Sequence, residues 1–357
     1  MNERALEDFI ASITPPEAAE EKEVRAHLDD LTKPPGSLGR LEELALRLAL
    51  ILGYPPPPLR HRTVFVLAGD HGVTRQGVSA YPAEVTAQMC DNIAAGGAAV
   101  SVFARRMNSR VVVADFGVAS RPSHPDVLDR NVRRGSGDLS RESAMTREEA
   151  VEAVLKGSAL VEERSSELHV VGLGEMGIGN TTSASCLCAA LTGASVEDVV
   201  GPGTGISGPR MERKREVVRS ALDRLSQGAD PLTVLAEVGG LEIAGLVGVT
   251  LGAARVGIPV VTDGFIATAA VMVAVRMAPE ARSYVFAGHM SAEPGHAAFL
   301  KALGLRPVLS LDMRLGEGTG AVLSFPILDS AGSILREMAT FSGAGVVGPV
   351  DGSGGGA

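Results

Sequence analysis

Short, near-continuous apolar runs recur along this chain, separated by longer stretches of helical periodicity. The runs predicted as strands are Thr63–Ala68, Val111–Ala114, Leu168–Val171, Pro259–Thr262, Tyr284–Ala287 and Pro307–Leu311. Their β-branched, unalternating character fits parallel strands buried on both faces. The stretches Ala83–Arg106, Thr146–Arg164 and Met211–Gln227 are long enough for helical crossovers. This alternation predicts an α/β fold with a doubly wound, mostly parallel, Rossmann-like sheet. Upstream, Thr14-Pro15-Pro16-Glu17 reads as a capping box with proline in the first turn, opening a helix to about Asp30. Lys33-Pro34-Pro35-Gly36 ends that helix, Ser37 caps a second over Leu41–Ile51, and Pro55-Pro56-Pro57-Pro58 breaks the chain. The expected division is a small helical domain over 1–58, an α/β catalytic domain over 59–332 and a flexible glycine-rich tail over 346–357. A C-terminal helix Ser333–Thr340, within 333–345, is a candidate addition to the small domain.

The predicted strands run into polar residues and glycines: Gly69-Asp70-His71-Gly72, Asp115-Phe116-Gly117, Gly172-Leu173-Gly174-Glu175, Asp263-Gly264-Phe265, Gly288-His289 and Asp312. Open α/β sheets bind ligands outside the carboxyl ends of their strands, so one composite site is expected there. The richest segment runs from Gly172 to Ser183, with Gly174, Glu175, Gly177, Ile178, Gly179, Asn180 and Thr181 ahead of the helix former Ala184–Leu191. Glycines before a helix leave backbone N–H groups bare at its positive end, with Asn180 or Thr181 as N-cap, which reads as a phosphate cradle. Gly172-x-Gly174-x-x-Gly177 also matches the dinucleotide fingerprint, with Glu197 about twenty residues beyond. In that fingerprint, however, the helix starts within the glycines, whereas here it starts near Asn180. The match therefore does not argue for a nicotinamide dehydrogenase. A second loop, Gly201-Pro202-Gly203-Thr204-Gly205, precedes Arg210, Arg213, Lys214 and Arg215. Two such loops and a lysine suit a phosphate held by backbone donors and a point charge. For Arg213 and Arg215 a solvated helix face is the plainer reading.

Composition narrows the partners. The net charge of −9 and the absence of Trp, with 3% aromatics, argue against nucleic acid. The 43 glycines are about 12% of the 357 residues and fall at the ends of apolar runs, as ligand-touching loops would. Cys90, Cys186 and Cys188 form no disulfide framework and read as small buried hydrophobes of a reducing compartment. The acidic N-terminus has no signal-peptide core, and the apolar tracts Leu241–Ala254 and Gly264–Val275 are shorter than the roughly 18 residues of a membrane span. A cytoplasmic protein with no membrane or nucleic-acid partner is expected.

Glu317, within Arg314-Leu315-Gly316-Glu317-Gly318-Thr319-Gly320, follows the last predicted strand. Flanking glycines clear space around its carboxylate, which makes it the best candidate for a general base. Asp70, His71, Asp263, His289 and His296 invite a metal-hydrolase reading, yet no two histidines have the close spacing of a metal-binding helix.

Together these segments resemble the nicotinate-nucleotide–dimethylbenzimidazole phosphoribosyltransferase family, over about residues 30 to 345. The matching pieces are Lys33-Pro34-Pro35-Gly36-Ser37-Leu38-Gly39, Ala68-Gly69-Asp70-His71-Gly72-Val73 and Gly77-Val78-Ser79 with Tyr81-Pro82 and Gln88-Met89. They continue with Gly174-Glu175-Met176-Gly177-Ile178-Gly179-Asn180-Thr181-Thr182, Gly203-Thr204-Gly205 and Asp263-Gly264-Phe265. The last are Gly288-His289-x-Ser291-x-Glu293-Pro294-Gly295-His296 and Gly316-Glu317-Gly318-Thr319-Gly320. The resemblance departs at the tail and in the link Ile206–Met211, just before Lys214.

The resemblance implies transfer of phosphoribose from nicotinate mononucleotide to 5,6-dimethylbenzimidazole, giving α-ribazole 5′-phosphate and nicotinate in cobalamin biosynthesis. It implies a phosphate and ribose site of Gly174, Gly177, Ile178, Gly179, Asn180, Thr181, Gly203, Thr204, Gly205, Lys214 and Ser291. Gln88, Tyr81 and Ser79 would touch the acceptor base. Glu317 would take the benzimidazole N–H proton, and Glu175 would face the charge developing at C1′. Asp70, Asp263 and His289 would shape and hold the loops. No pyrophosphate leaves, so the reaction calls for neither Mg²⁺ nor a cofactor. A homodimer is implied by the family alone. Two other readings stay open at this point: a metal-dependent hydrolase on Asp70, His71 and His289, and a nucleotide-binding sensor without catalysis.

Overall fold

The structure, a computed structural model, describes residues 3–347. Seven strands form one sheet in the order β3-β2-β1-β4-β5-β6-β7. They are β1 (Arg62–Gly69), β2 (Arg110–Gly117), β3 (Leu128–Asp129), β4 (Val170–Met176), β5 (Val260–Thr262), β6 (Val285–Met290) and β7 (Pro307–Ser310). Every pairing is parallel. The strand order reverses between β1 and β4, the kind of place where doubly wound sheets bind ligands. Two-residue β3 is too short for a sequence pattern to register. The 346–357 tail falls largely outside the described residues.

The most consequential difference from the sequence expectation lies in β4. The apolar pattern places the strand at Leu168–Val171 and a loop over Gly172–Gly179. Instead the strand runs on through Gly172, Leu173, Gly174 and Glu175 to Met176. Gly174 pairs with Val66 of β1 and is an interior strand residue. A glycine-rich strand is unusual, because glycine has neither a side chain to pack nor a stiff backbone. The reason here is close approach: a Cβ at Gly174 would lie 2.5 Å from the Glu317 carbonyl oxygen.

Other boundaries shift for local reasons. The 180–192 helix is capped by Gly179, whose φ of 97° lies in the left-handed region, and not by Asn180 or Thr181. Thr14 caps nothing: the helix there is Glu21–Asp30, preceded by a separate helix Glu3–Ala11. Gly39, not Ser37, precedes the Arg40–Leu52 helix. Ala83–Arg106 is two helices, Val85–Ala94 and Ala99–Arg106. By contrast, Thr146 does open the Arg147–Glu162 helix, through a complete capping box with Glu149. Ser333–Thr340 is no separate helix, since Thr319–Glu337 is continuous.

Part of the glycine excess serves helix packing rather than ligand loops. The Arg147–Glu162 helix lies against the apolar Leu241–Arg255 helix through Gly157, Gly245 and Gly248. A Cβ at Gly248 would stand 1.9 Å from the Val154 carbonyl oxygen. That Leu241 helix and its neighbour Phe265–Met277 are buried almost all round against the sheet, which explains their uniform hydropathy.

The chain forms two compact units, 1–15 with 60–324, and 16–59 with 325–357. They are drawn differently from the expected 1–58 and 59–332: the first fifteen residues go with the sheet, and 325–332 go with the helical unit. Tyr284 Oη ties the Thr14 carbonyl to the sheet unit at 2.8 Å, and Arg147 pairs with Glu3. Within the helical unit, Lys33 pairs with Glu42 at 2.9 Å, Leu31 bridges Thr340, and the Leu59 N–H donates to Asp329.

Candidate active site

A cavity of about 840 Å³ opens in the sheet unit, beyond the carboxyl ends of β4, β5 and β6. Apolar walls come from Val85, Met89, Ala99 and Phe103, and polar walls from Thr181, Thr204, Ser291, Glu293 and Arg314. Glu175, His289 and Glu317 also reach it.

Glu317 sits at the centre of a three-residue left-handed turn. Gly316, Glu317 and Gly318 have φ of 85°, 62° and 88°. A non-glycine residue with positive φ is uncommon and strained, and its glycine neighbours make the run possible. The turn is held by Asp263, which accepts the N–H groups of Gly318 and Gly320 at 3.0 and 2.6 Å. The Glu317 carboxylate is only 6% exposed and takes one long bond, 3.5 Å, from the Val100 N–H near the start of the Ala99–Arg106 helix. Burial holds its pKa above the usual carboxylate range; the Val100 N–H opposes this and the Asp263 charge adds to it. A buried carboxylate with little hydrogen bonding, beside apolar Ala99 and Phe103, is what a base for a weak N–H acid requires.

Glu175, at the end of β4, is buried and linked to the Asn180 side-chain amide. Burial pushes its pKa up to about 8; the Asp263 charge adds to this, the Asn180 hydrogen bond opposes it, and Glu242 adds further. Asn180 is therefore not a capping residue but a donor that fixes this carboxyl. Beneath lies a buried chain that sequence reasoning did not assemble: His71 Nε2 meets Glu242 at 2.7 Å and His71 Nδ1 meets Ser183 at 3.0 Å. Glu242 sits in an apolar helix far from any motif, so no local signal marked it.

The cradle residues divide. Thr181, Gly203, Thr204, Ile178, Gly177, Asn180 and Ser291 line the cavity, whereas Gly174, Gly179 and Gly205 do not. Lys214 is fully buried behind the loop, donating to Thr181 Oγ1 at 2.9 Å and to the Gly201 carbonyl at 3.0 Å. Burial lowers its pKa to about 8, opposed by the Glu293 charge. Lys214 thus shapes the Gly201–Gly205 loop and supplies charge from behind. Two further residues join this wall: Glu293, which accepts the Gly203 N–H at 3.0 Å, and Arg314, which donates to the Gly203 carbonyl at 3.1 Å. Both stand inside segments already marked by glycine and histidine spacing, but side-chain direction decided their part.

Of the expected base contacts, Tyr81 lines the cavity at 56% exposure. Ser79 lies just outside, within 3.2 Å of Thr204 Oγ1. Gln88 points to solvent, while Val85 and Met89 of the same helix face in. His296 is held as a neutral ring: its Nδ1 accepts the Ser291 N–H, its Nε2 donates to Thr268, and burial lowers its pKa to about 3. Among the described residues no three His, Cys, Asp or Glu side chains converge as a metal site. Asp70, His71 and His289 are each engaged elsewhere, with Ala119, Glu242 and Asp263 respectively.

Residues 13–346 match a family model described as phosphoribosyltransferase. The sheet-edge cavity, with glycine-rich walls and the buried carboxyls of Glu175 and Glu317, lies within that matched span. Nicotinate-nucleotide–dimethylbenzimidazole phosphoribosyltransferase of Desulforamulus reducens is 48% identical over 345 residues, covering 96% of this chain and 98% of its own. The protein of that name from Chloroflexus aurantiacus is 52% identical over 325 residues, covering 90% and 93%. A crystal structure of the Thermus thermophilus protein of that name superposes with a TM-score of 0.87 at 49% identity, covering 92% of this chain and 98% of that one. The chain belongs to the nicotinate-nucleotide–dimethylbenzimidazole phosphoribosyltransferase family.

Proposed function

We propose that this protein transfers phosphoribose from nicotinate mononucleotide to 5,6-dimethylbenzimidazole, releasing nicotinate and forming α-ribazole 5′-phosphate for cobalamin biosynthesis. The observation that carries the reading is the placement of Glu317. A buried, weakly bonded carboxylate faces the same cavity as apolar walls and the Thr181–Gly203 cradle. The cradle holds the 5′-phosphate and ribose, with Lys214 and Arg314 supplying positive charge. The flat acceptor lies against Val85, Met89 and Phe103, with Tyr81 at the rim.

The N–H proton of the benzimidazole passes to Glu317 as the other ring nitrogen attacks C1′. The C1′–N bond to nicotinate breaks with its electrons returning to the pyridine nitrogen, which was cationic in the nucleotide and needs no acid. Attack opposite the departing ring converts a β-nucleotide into an α-nucleotide. Glu175 stands beside C1′ in this reading; its carboxyl is held neutral by burial until the positive charge developing there draws its raised pKa back down and favours the ionised form. Asp70, His71 and His289 hold loops in this scheme. The sheet unit is the catalytic unit, and the enzyme is a cytoplasmic homodimer in this reading. No helix among the described residues is long and apolar enough to cross a membrane.

The test is incubation with nicotinate mononucleotide and 5,6-dimethylbenzimidazole, followed by mass and stereochemical analysis of the nucleotide. Glu317→Gln should lose roughly 100-fold to 10,000-fold in turnover while still binding nicotinate mononucleotide. Near-normal turnover in that variant removes Glu317 as the base. Tight nucleotide binding with no nicotinate release by the unaltered protein would favour a sensor.

A further inference from the structure

Asp263 is buried at the carboxyl end of β5, and its carboxylate pairs with no Lys or Arg among the described contacts. Instead it accepts three backbone N–H groups: Gly318 on Oδ2 at 3.0 Å, and Gly320 and Ala321 on Oδ1 at 2.6 and 3.3 Å. His289 Nε2 lies 3.4 Å from Oδ1. All three donors follow Glu317 directly and open the Thr319–Glu337 helix, where N–H groups have no partner of their own. The left-handed turn at Glu317 is strained, and strain of this kind persists only where surrounding bonds over-determine it.

We propose that Asp263 is the positioning residue of the reaction, clamping the backbone after Glu317 so that the carboxylate stays aimed at the acceptor. The inference rests on the reading of Glu317 as the base. Asp263 has a second effect through its charge. The groups that act on Glu317 are the Asp263 carboxylate from β5 and the Val100 N–H, while Glu175 from β4, His289 from β6 and Arg314 on its own loop are the other ionisable groups lining that side of the cavity. The Asp263 carboxylate opposes ionisation of Glu317 and the Val100 N–H favours it. Asp263 therefore places the base and strengthens it.

The experiment compares Asp263→Asn, Asp263→Glu and Glu317→Gln by pH-dependent kcat and by equilibrium binding of nicotinate mononucleotide. Asp263→Asn keeps an acceptor for some of the N–H groups but loses the charge and the second acceptor. Its kcat should fall about 100-fold, its donor Kd should stay within about three-fold, and its acid limb should move to lower pH, because one opposing charge is gone. Asp263→Glu keeps the charge and displaces the clamp, so kcat should fall with the acid limb unmoved. Wild-type kcat in either variant overturns the proposal, as does an unmoved acid limb in Asp263→Asn. Parallel loss of kcat and donor binding in both variants also overturns it, by marking Asp263 as purely structural. If the Asn variant does not fold, Asp263→Glu decides alone through its kcat. Near-normal turnover in Glu317→Gln instead strikes the base reading itself.

Discussion

Gly174→Ala separates two uses of the glycine-rich segment. If Gly174 belonged to a phosphate cradle, an added methyl group would weaken donor binding. The structure places it instead under the Glu317 turn: a Cβ there would stand 2.5 Å from the Glu317 carbonyl oxygen, 2.9 Å from its carbonyl carbon and 3.0 Å from Val66 Cγ2. Ordinary contact begins near 3.4 Å, so the Glu317 turn must retreat by 3.4 minus 2.5, or about 0.9 Å. The turn is left-handed and tied to Asp263, so it has no slack in that direction. A base misplaced by about 1 Å costs on the order of 100-fold in rate, and overpacking a tight interior costs about 1–3 kcal/mol in stability. Steady-state turnover with nicotinate mononucleotide and 5,6-dimethylbenzimidazole, alongside calorimetric binding of the donor and a melting curve, reads all three quantities. The expected pattern is a large fall in kcat, a lower Tm and a nearly unchanged donor Kd. Weakened donor binding with kcat preserved would refute the reasoning and return Gly174 to the cradle.

Three more expectations concern charge and shape. Glu317 has a raised pKa, so its basic form is lost as pH falls through that raised value; kcat should decline on an acid limb above the usual carboxylate range, and Glu317→Gln should abolish that limb. Glu175 is shifted from 4.5 to about 8, so its neutral form suits the fold and its contribution to stability is full below 4.5 and lost as pH rises through about 8. Tm measured across that window should fall with rising pH, and Glu175→Gln should flatten the slope. Lys214→Met leaves the Gly201 carbonyl and Thr181 Oγ1 without their buried donor, a loss of about 1–3 kcal/mol. Its KM for nicotinate mononucleotide should rise more than its kcat falls, and an unchanged KM would count against a role for Lys214 at the cradle.

Much of the architecture was legible in the chain because burial on both faces leaves a simple mark. Strands such as Arg62–Gly69 and Val285–Met290 are apolar almost throughout, and stretches of helical periodicity separate most of them. The residues at strand ends, Asp263, His289 and Glu317 among them, stood out because polar groups and glycines follow directly where the apolar runs stop. The family likeness of these segments carried the chemistry further than spacing alone.

Tertiary structure decided the rest, because the deciding forces act between segments far apart in the chain. Gly174 looks like a loop glycine until the Glu317 backbone is seen lying against it. Asn180 looks like a helix cap until its side chain is found on Glu175. Glu242 carries no local mark, since only the fold brings an apolar helix's lone carboxylate onto His71. Residue types and their order along the chain determined that glycine-rich loops and carboxylates would gather at one sheet edge. Which glycine lines the cavity and which makes room for the Glu317 backbone was set by three-dimensional packing, where a gap of about 1 Å decides the outcome.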